Sequence, residues 1–252
     1  MSDRQDTPRL NSVREAIREP LTRFVQHVQT ALGDRLQSVT VVGSALTDDF
    51  QPGVSDINTV VLLDEHSLAA LNAVVSLAKS LRRSRLSAPL LMTASYIERS
   101  RDVFGIEFLD LQLTHETILG DDPFVGIQID KPDVRLQCER ELKATLVRLR
   151  QGWIAAAGDK GLVRDILVST VKGLAPLLRA MLWLQDAERP TTMAATLREA
   201  ADRFHVNLDT VLGANRWRHE RPRLSDAEIE NAFVAVVGAV DRLATIIDEM
   251  EL

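Results

Sequence analysis

The sequence predicts an α+β fold, in which a small mixed β-sheet with flanking helices is followed by an antiparallel α-helical bundle. Two short apolar runs rich in β-branched residues, Val39–Val42 and Ile57–Leu63, are each bounded by turn formers, as buried strands are. From Val134 onward the apolar residues recur at helical spacing instead. This change of period predicts two domains, residues 1–125 with the sheet and residues 126–252 with the bundle.

The composition is that of an ordinary globular chain long enough for two modest domains. Of its 252 residues, 45% are hydrophobic and 26% are charged, and the formal net charge is −6. An acidic balance repels phosphate backbones, which argues against nucleic acid as a partner. The single cysteine, Cys138, excludes an intramolecular disulfide and a cysteine-based zinc site. Because the sequence shows no apolar N-terminal run and no long apolar span, we expect a cytoplasmic protein that does not enter a membrane.

Helices and a third strand are predicted around the first two strands. Apolar residues at helical spacing predict a helix over Leu10–Leu32, in which Pro20 marks either a kink or the first turn of a second helix. A further helical segment, Asp64–Arg85, ends in three arginines, which either complement the helix C-terminus or lie near a phosphate chain. Ala88–Ala94 is predicted to be a strand, and a turn cluster at Gly120–Phe124 closes the domain.

The turn between the first two strands carries the residues that indicate function. Gly43 ends the first strand, and its missing Cβ lets a phosphate approach the backbone amide, while Ser44 offers a hydroxyl beside it. Asp56 and Asn58 are two apart on the second strand, so their side chains project from the same face. Together these four residues predict a nucleotide site.

These pieces resemble the signature of the DNA polymerase β-type nucleotidyltransferase superfamily, in which an apolar strand, Gly-Ser, a short helix and a loop precede Asp-apolar-Asp. Here they are Gly43-Ser44 and Asp56-Ile57-Asn58. The resemblance implies a nucleoside triphosphate positioned by a magnesium ion (Mg²⁺), which Asp56, Asn58 and a third carboxylate would hold. Asn58 stands where the signature has its second carboxylate, and an amide supplies an oxygen ligand without a negative charge.

The third carboxylate is expected from Phe104–Leu113, which reads as an apolar strand interrupted by Glu107 and Asp110. Residues three apart on a strand face opposite sides, so only one of them can join Asp56 unless a bulge intervenes. Asp110 resembles the third-carboxylate strand of minimal nucleotidyltransferases, and Glu107 resembles the base position of some aminoglycoside-modifying members. Either acid can serve as metal ligand or general base, and we prefer Asp110. The alternative for both is a salt bridge to an arginine of a neighbouring helix.

The central helix of the predicted bundle is Leu162–Leu184, because its apolar residues crowd almost the whole circumference. Pro176 lies within it and predicts a kink or a break. Lys172 and Arg179 are seven apart, so they share a face of this helix. They are candidate nucleotide-binding residues that either meet the triphosphate or pair with Glu107 and Asp110.

Four more helices complete the predicted bundle: one marked by Leu136 to Ile154, then Thr192–Phe204, Leu208–Arg216 and Asp226–Glu249. Ser225 is a plausible N-cap of the last helix, with Glu228 three residues later as its capping-box partner. Trp217–Arg221 is expected to form a polar loop.

Two hypotheses about function remain open. The first is a magnesium-dependent transferase that moves a nucleoside monophosphate onto a hydroxyl of a small molecule or a protein. The second is a catalytically weakened descendant that binds a nucleotide, or only a partner protein, through the same cleft. Asn58 favours the second, and the retained Gly43-Ser44, Asp56 and later carboxylates favour the first. Nucleotide binding is therefore predicted, transfer is left open, and a homodimer is one option for the assembly.

Overall fold

The computed structural model describes residues 7–220 and 222–252, with the backbone alone at 78–80, 218 and 219. The chain forms two compact units. The first unit consists of the chain up to Arg101 together with Asp110–Gln128, and the second consists of Asp102–Leu109 with Ile129–Leu252. The domain boundary after residue 125, which was inferred from the change of apolar period, stays a prediction.

The first unit contains a four-stranded mixed sheet, which confirms the predicted sheet. Its strands are β1 (Leu36–Val42), β2 (Asn58–Leu63), β3 (Leu90–Thr93) and β4 (His115–Leu119). The spatial order is β3-β2-β1-β4, with β1 antiparallel to both of its neighbours and β2 parallel to β3. Because β1 is paired on both sides, its C-terminal end is fixed against β2 and β4 at once.

In the described part of the first unit, four helices lie wholly within it: α1 (Glu15–Leu32), α2 (Leu68–Val75), α3 (Ala78–Arg83) and α4 (Ala94–Arg99). α1 buries the apolar stripe that predicted it and packs on β1. It runs through Pro20 without a break, so a second helix beginning at Pro20 is wrong. The predicted segment Asp64–Arg85 is two short helices rather than one.

The N-terminal segment closes the outer edge of β4. The Arg9 amide donates to the carbonyl oxygen of Ile118 at 2.7 Å. The Arg9 guanidinium donates to the carbonyl oxygens of Thr117 and Gly120. One residue therefore occupies three carbonyl acceptors at the end of this strand and just beyond it.

Phe104–Leu113 is not a strand, and this prediction is wrong. Gly105–Leu113 forms a helix, α5. A Cβ at Gly105 would lie 2.8 Å from Val134 Cγ2, so the missing side chain permits this close packing. The buried Gln137 side chain accepts from the Ile106 amide at 3.0 Å and therefore ties down the first turn of the helix. Residues three apart on a helix share a face, so the expectation of opposite faces for Glu107 and Asp110 is also wrong.

The second unit is a helical bundle, as predicted. Besides the start of α5 it contains α6 (Lys131–Ala156), α7 (Lys160–Leu184), α8 (Met193–Phe204), α9 (Asp209–Glu220) and α10 (Asp226–Asp248). α7 packs against each of the other four, which confirms it as the bundle centre. It is long and apolar enough to cross a membrane, yet 56% of its most apolar window is buried inside the structure. That burial is typical of a core helix.

Two local predictions in the bundle fail. α7 continues through Pro176, so the alternative of a break is wrong. Proline lacks an amide hydrogen and removes one bond from the helix, while the packing on both sides of Pro176 keeps the remaining turns in place. A polar loop was expected at Trp217–Arg221, but the chain is helical up to Glu220, so this prediction is wrong there. Arg221 lies outside the described residues.

α10 begins with the predicted capping box. The Glu228 amide donates to Ser225 Oγ at 3.3 Å, and the Ser225 amide donates to Glu228 Oε2 at 2.8 Å. The Ser225 backbone amide, and then its hydroxyl, hold the pKa of the Glu228 carboxyl below its ordinary value. A carboxyl with a lowered folded-state pKa stabilises the fold above its unfolded pKa and loses that contribution as the pH falls.

Ser225→Ala is expected to destabilise the protein by about 1 kcal/mol, since the substitution leaves one amide of the first turn of α10 without its acceptor. The same change should weaken the loss of stability on acidification only in part, because the Glu228 carboxyl loses the Ser225 hydroxyl as a donor and keeps the backbone amide. Urea unfolding at pH 7 and at pH 4 measures both effects. Ser76→Ala, at the C-terminal end of α2, is the matched control, and an equal effect there would contradict the assignment.

Candidate functional site

The candidate site lies where the C-terminal end of β1 meets β2 and β4. Val42 pairs with Asn58 on one side and with His115 on the other. Gly43, the residue after Val42, donates its amide to the Thr114 carbonyl oxygen at 2.9 Å. The antiparallel pairing therefore brings the Gly-Ser turn, the start of β2 and the start of β4 to one end of the sheet.

The Gly43 amide does not serve the predicted role, because Thr114 already uses it. The glycine is required for another reason, since its φ is +74°, a left-handed conformation that disfavours other residues. A Cβ there would lie 3.9 Å from Asn58 Nδ2, which is ordinary contact. Ser44 follows in a short 3₁₀ turn, Gly43–Leu46, whose first amides have no partner within the turn. Since Thr114 uses the Gly43 amide, the Ser44 hydroxyl and the Ser44 and Ala45 amides are what this turn offers to a phosphate.

Arg14 holds that turn, a role that was not predicted. The partly buried guanidinium donates to the Ala45 carbonyl oxygen at 2.8 Å and to the Thr47 carbonyl oxygen at 2.6 Å. The Arg14 guanidinium also lies 5.1 Å from the centre of the Phe50 ring. Two charge-assisted bonds fix these carbonyl groups of the turn and of the residue after it. No sequence motif marks this arginine, because its partners are backbone atoms about thirty residues away.

Asp56 and Asn58 lie at the start of β2, with the buried Ile57 between them. Both are exposed, so Asp56 does not point into the apolar layer of the unit. Alternation along an extended chain places the two side chains on the same side. Asp56 and Asn58 therefore provide one carboxylate and one amide next to the Gly-Ser turn.

Asp56 also lines an open depression of about 530 Å³ together with Arg82, Arg83 and Arg85. Three exposed guanidinium groups and one carboxylate are the charged groups of its described lining. The depression therefore carries an excess of positive charge. Of the two readings of these arginines, proximity to a phosphate chain gains support because they lie beside the signature aspartate.

Asp110 reaches the same end of the sheet from the last turn of α5. Its carbonyl oxygen accepts from the Thr114 amide at 3.1 Å and from the Thr114 hydroxyl at 3.0 Å. Since the carbonyl oxygen of Thr114 in turn accepts from Gly43, two backbone contacts connect Asp110 to the Gly-Ser turn. Its role as metal ligand or base stays a prediction.

The remaining predicted site residues belong to the second unit. Glu107 accepts from Gln137 Nε2 at 2.7 Å, an amide partner rather than the arginine that the salt-bridge alternative required. Lys172 is exposed on α7, so its charge needs no buried anion, and Arg179 is partly buried on the same helix. A nucleotide-binding role for Lys172 and Arg179 stays a prediction.

His115 and Asp122 form a structural pair beside the site. His115 Nε2 lies 2.8 Å from Asp122 Oδ2, and the other oxygen of this carboxylate accepts from the Phe124 amide at 2.9 Å. The His115 ring also meets the Phe124 ring edge-on at 5.3 Å. These contacts give His115 and Asp122 a structural role at the Gly120–Phe124 turn.

The donors at this site fit a magnesium ion that arrives with the nucleotide better than one held by the protein alone. Within residues 7–220 and 222–252, no three His, Cys, Asp or Glu side chains come together as a metal-binding group. Asp56 and Asn58 offer two oxygen ligands on one side of one strand. Magnesium is commonly bound by one or two carboxylates, with phosphate oxygens and water completing its octahedron.

No protein-family model matches the chain, and no curated protein sequence matches it. Among solved structures, the chain is similar to the crystal structure of spectinomycin adenyltransferase AAD(9) from Enterococcus faecialis with ATP and spectinomycin. The sequence identity is 12%, the TM-score is 0.58, and the match covers 89% of this chain and 98% of that chain. The chain therefore shares the fold of this adenyltransferase, and the predicted α+β architecture is confirmed.

Proposed function

We propose that this protein binds a nucleoside triphosphate at the end of the sheet where Gly43, Ser44, Asp56 and Asn58 meet. The observation that carries the proposal is the pairing of Val42 with Asn58, which sets the Gly-Ser turn beside the start of β2. The fold shared with an adenyltransferase supports the same conclusion. With a net charge of −6, the chain is expected to act on small molecules or proteins rather than on nucleic acid.

The residues of the turn have distinct parts in this proposal. The Ser44 hydroxyl and the Ser44 and Ala45 amides donate hydrogen bonds to phosphate oxygens, as donors at the start of a helical turn do. Arg14 keeps the turn in that orientation through its two carbonyl contacts. Asp56 and Asn58 would hold the Mg²⁺ ion that accompanies the triphosphate. When bound, this ion neutralises negative charge on the phosphates.

A second candidate function is transfer of a nucleoside monophosphate to a hydroxyl of a small molecule. It is favoured because the match covers 98% of an enzyme chain whose crystal structure contains both ATP and spectinomycin. Asp110 is the preferred general base in this reading, with Glu107 as the alternative, and Lys172 and Arg179 would meet the nucleotide. Asn58 argues against efficient transfer. The motif retains only one carboxylate, whereas two-metal catalysis uses more than one carboxylate ligand.

Asn58→Asp is the variant that tests the metal part of the proposal. A second carboxylate adds a negative oxygen ligand of almost unchanged size, so ATP affinity in the presence of Mg²⁺ should rise about tenfold. Without the metal the same charge repels the triphosphate, so affinity in EDTA should fall. Isothermal titration calorimetry with ATP, in Mg²⁺ and in EDTA, measures both.

Asn72→Asp supplies the control, since it adds the same charge at an exposed position on α2. The competing view is that Asn58 is structural and uses both its donor and its acceptor, in which case the aspartate loses the donor. Unchanged affinity together with a lowered melting temperature would support that view and remove Asn58 from the metal site. Failure of the wild-type protein to bind ATP under either condition would contradict the proposed function itself.

A further inference from the structure

The charge balance around Asp56 differs from that of a site built mainly around metal ions. Asn58 leaves one carboxylate in the strand motif, and β3, the strand beside β2, has the sequence Leu-Leu-Met-Thr with no acid. Next to the remaining carboxylate, three guanidinium groups line the depression described above. The positive charge that a triphosphate needs is thus already supplied, in large part, by the protein.

Arg85 is the best placed of the three arginines, because the backbone fixes it to the strand that carries Asp56. The Arg85 carbonyl oxygen accepts from the Ile57 amide at 2.8 Å, and the Ser87 amide donates to the Ile57 carbonyl oxygen at 3.0 Å. The Arg85 guanidinium donates to the Val54 carbonyl oxygen at 3.1 Å. An arginine has five N–H donors, so this bond leaves most of them for a ligand.

The backbone conformation of Arg85 is costly for an arginine. α3 ends in a Schellman motif, in which the Leu86 amide donates to Leu81 and the Arg85 amide donates to Arg82. Arg85 occupies the left-handed position of that motif at φ +55°, where glycine is the usual residue. Ala157, Asp186 and His205 also have a positive φ, so this conformation alone assigns no role to the Arg85 side chain; its position in the depression beside Asp56 does.

The dipole of α3 explains two of the three arginines but not the third. Arg82 and Arg83 lie in the last turn of α3, where cations complement the helix dipole. Arg85 lies beyond the helix end, so the dipole does not account for it. Within the described part of the chain, Asp56 is the one acid lining the depression, and none of the three arginines forms an ion pair with an acid.

We infer that Arg82, Arg83 and Arg85 bind the phosphate tail of the nucleotide directly, so that the nucleotide binds without magnesium. The inference rests on the proposed nucleotide function and specifies which protein groups balance the negative charge of the phosphates. Guanidinium groups form paired hydrogen bonds with phosphate oxygens and keep their charge at any physiological pH. The metal is then needed for transfer at most, and binding and transfer have different cation requirements.

Calorimetric titrations with ATP, tripolyphosphate and adenosine, each in EDTA and in Mg²⁺, test this inference. ATP affinity in EDTA should lie within about threefold of the affinity in Mg²⁺, and it should fall as salt is added, because the guanidinium groups are exposed. Adenosine, which lacks phosphates, should bind far more weakly than ATP under both conditions.

Arg85→Gly is the sharpest variant, because glycine relieves the left-handed strain while it removes the guanidinium. ATP affinity in EDTA should fall about tenfold to a hundredfold, the range expected for losing hydrogen bonds to a charged group, with little change in melting temperature. Arg82→Gln combined with Arg83→Gln removes two charges while keeping good helix formers, and it should also weaken ATP binding. Arg23→Gln, which removes an exposed arginine paired with Glu19 on α1, should bind like the wild type.

The possible outcomes separate the inference from the function on which it rests. ATP binding that requires Mg²⁺, or that persists unchanged in the Arg85→Gly and Arg82→Gln/Arg83→Gln proteins, overturns the inference and leaves nucleotide binding intact. Tripolyphosphate that binds as tightly as ATP supports the guanidinium contacts and contradicts a nucleotide-specific function. Absence of ATP binding in both buffers overturns both.

Discussion

Gly120→Ala is expected to destabilise the protein by about 2 to 5 kcal/mol, the combined cost of overpacking and of a left-handed alanine. Gly120 follows β4 at φ +73°, and a Cβ there would lie 2.1 Å from the Gln37 carbonyl oxygen and 2.9 Å from Ser38 Cβ. Both neighbours belong to the central strand β1, which is paired on its two sides and cannot move away. Thermal and urea unfolding of the variant measure the loss.

Gly126→Ala is the matched control for that substitution. Gly126 has φ +76°, nearly the same backbone conformation, but nothing lies within 4 Å of the Cβ that alanine would add. It should therefore show the conformational cost alone, about 1 to 2 kcal/mol. Equal losses for the two variants would show that the close approach to β1 contributes nothing.

Asp56→Asn is expected to lower any nucleotidyl transfer about a hundredfold or more. Asn58 is already an amide, so this variant leaves the strand motif without a carboxylate, and metal stabilisation of a transferred group is commonly worth several kcal/mol. Pyrophosphate release from ATP, with spectinomycin and a panel of aminoglycosides as candidate acceptors, measures the rate.

Asp56→Asn is also expected to strengthen ATP binding in the absence of metal. Removal of the negative charge beside Arg82, Arg83 and Arg85 should raise ATP affinity in EDTA, while ATP affinity in Mg²⁺ should rise less or fall. Asp48→Asn removes an exposed acid from the same loop and should change neither rate nor affinity. Transfer at the wild-type rate by the Asp56→Asn protein would contradict the assignment of Asp56.

Three of the four strands were predicted, and the edge strand β4 was missed. β1 and β2 are almost wholly buried, so β-branched apolar runs marked them clearly. β4 pairs with β1 alone and buries only Ile118 and Leu119, and its first three residues are polar enough to resemble a loop. A short strand of this kind is specified by its partner rather than by its own sequence.

α5 was misread because its composition fits two periods. Phe104, Ile106 and Phe108 alternate as in a strand, yet the structure buries Ile106, Phe108 and Leu109 at helical spacing. Tertiary contacts select the helix over the strand. These are the close packing of Gly105 on Val134 and the hydrogen bond between Gln137 and the first turn. Neither contact can be read from a local window of the sequence.

The candidate site was predictable in its residue types but not in its contacts. The order of Gly43-Ser44 and Asp56-Ile57-Asn58 indicated the fold, which the comparison with a solved structure supports. The use of the Gly43 amide by Thr114 could not be foreseen, because β4 was not recognised as a strand. The position of Arg85 beside Asp56 depends on the parallel pairing at Ile57 and Leu86, which joins segments about thirty residues apart.

The three bonds of Arg9 to the end of β4 have a consequence for self-association. An exposed strand edge is a template on which another chain can add a strand, and proteins commonly protect such edges with charges or cover. Here the Ile118 carbonyl oxygen already accepts a main-chain amide, and the Thr117 and Gly120 carbonyl oxygens accept from a guanidinium. An incoming strand would have to displace all three donors before it could extend the sheet along this part of β4.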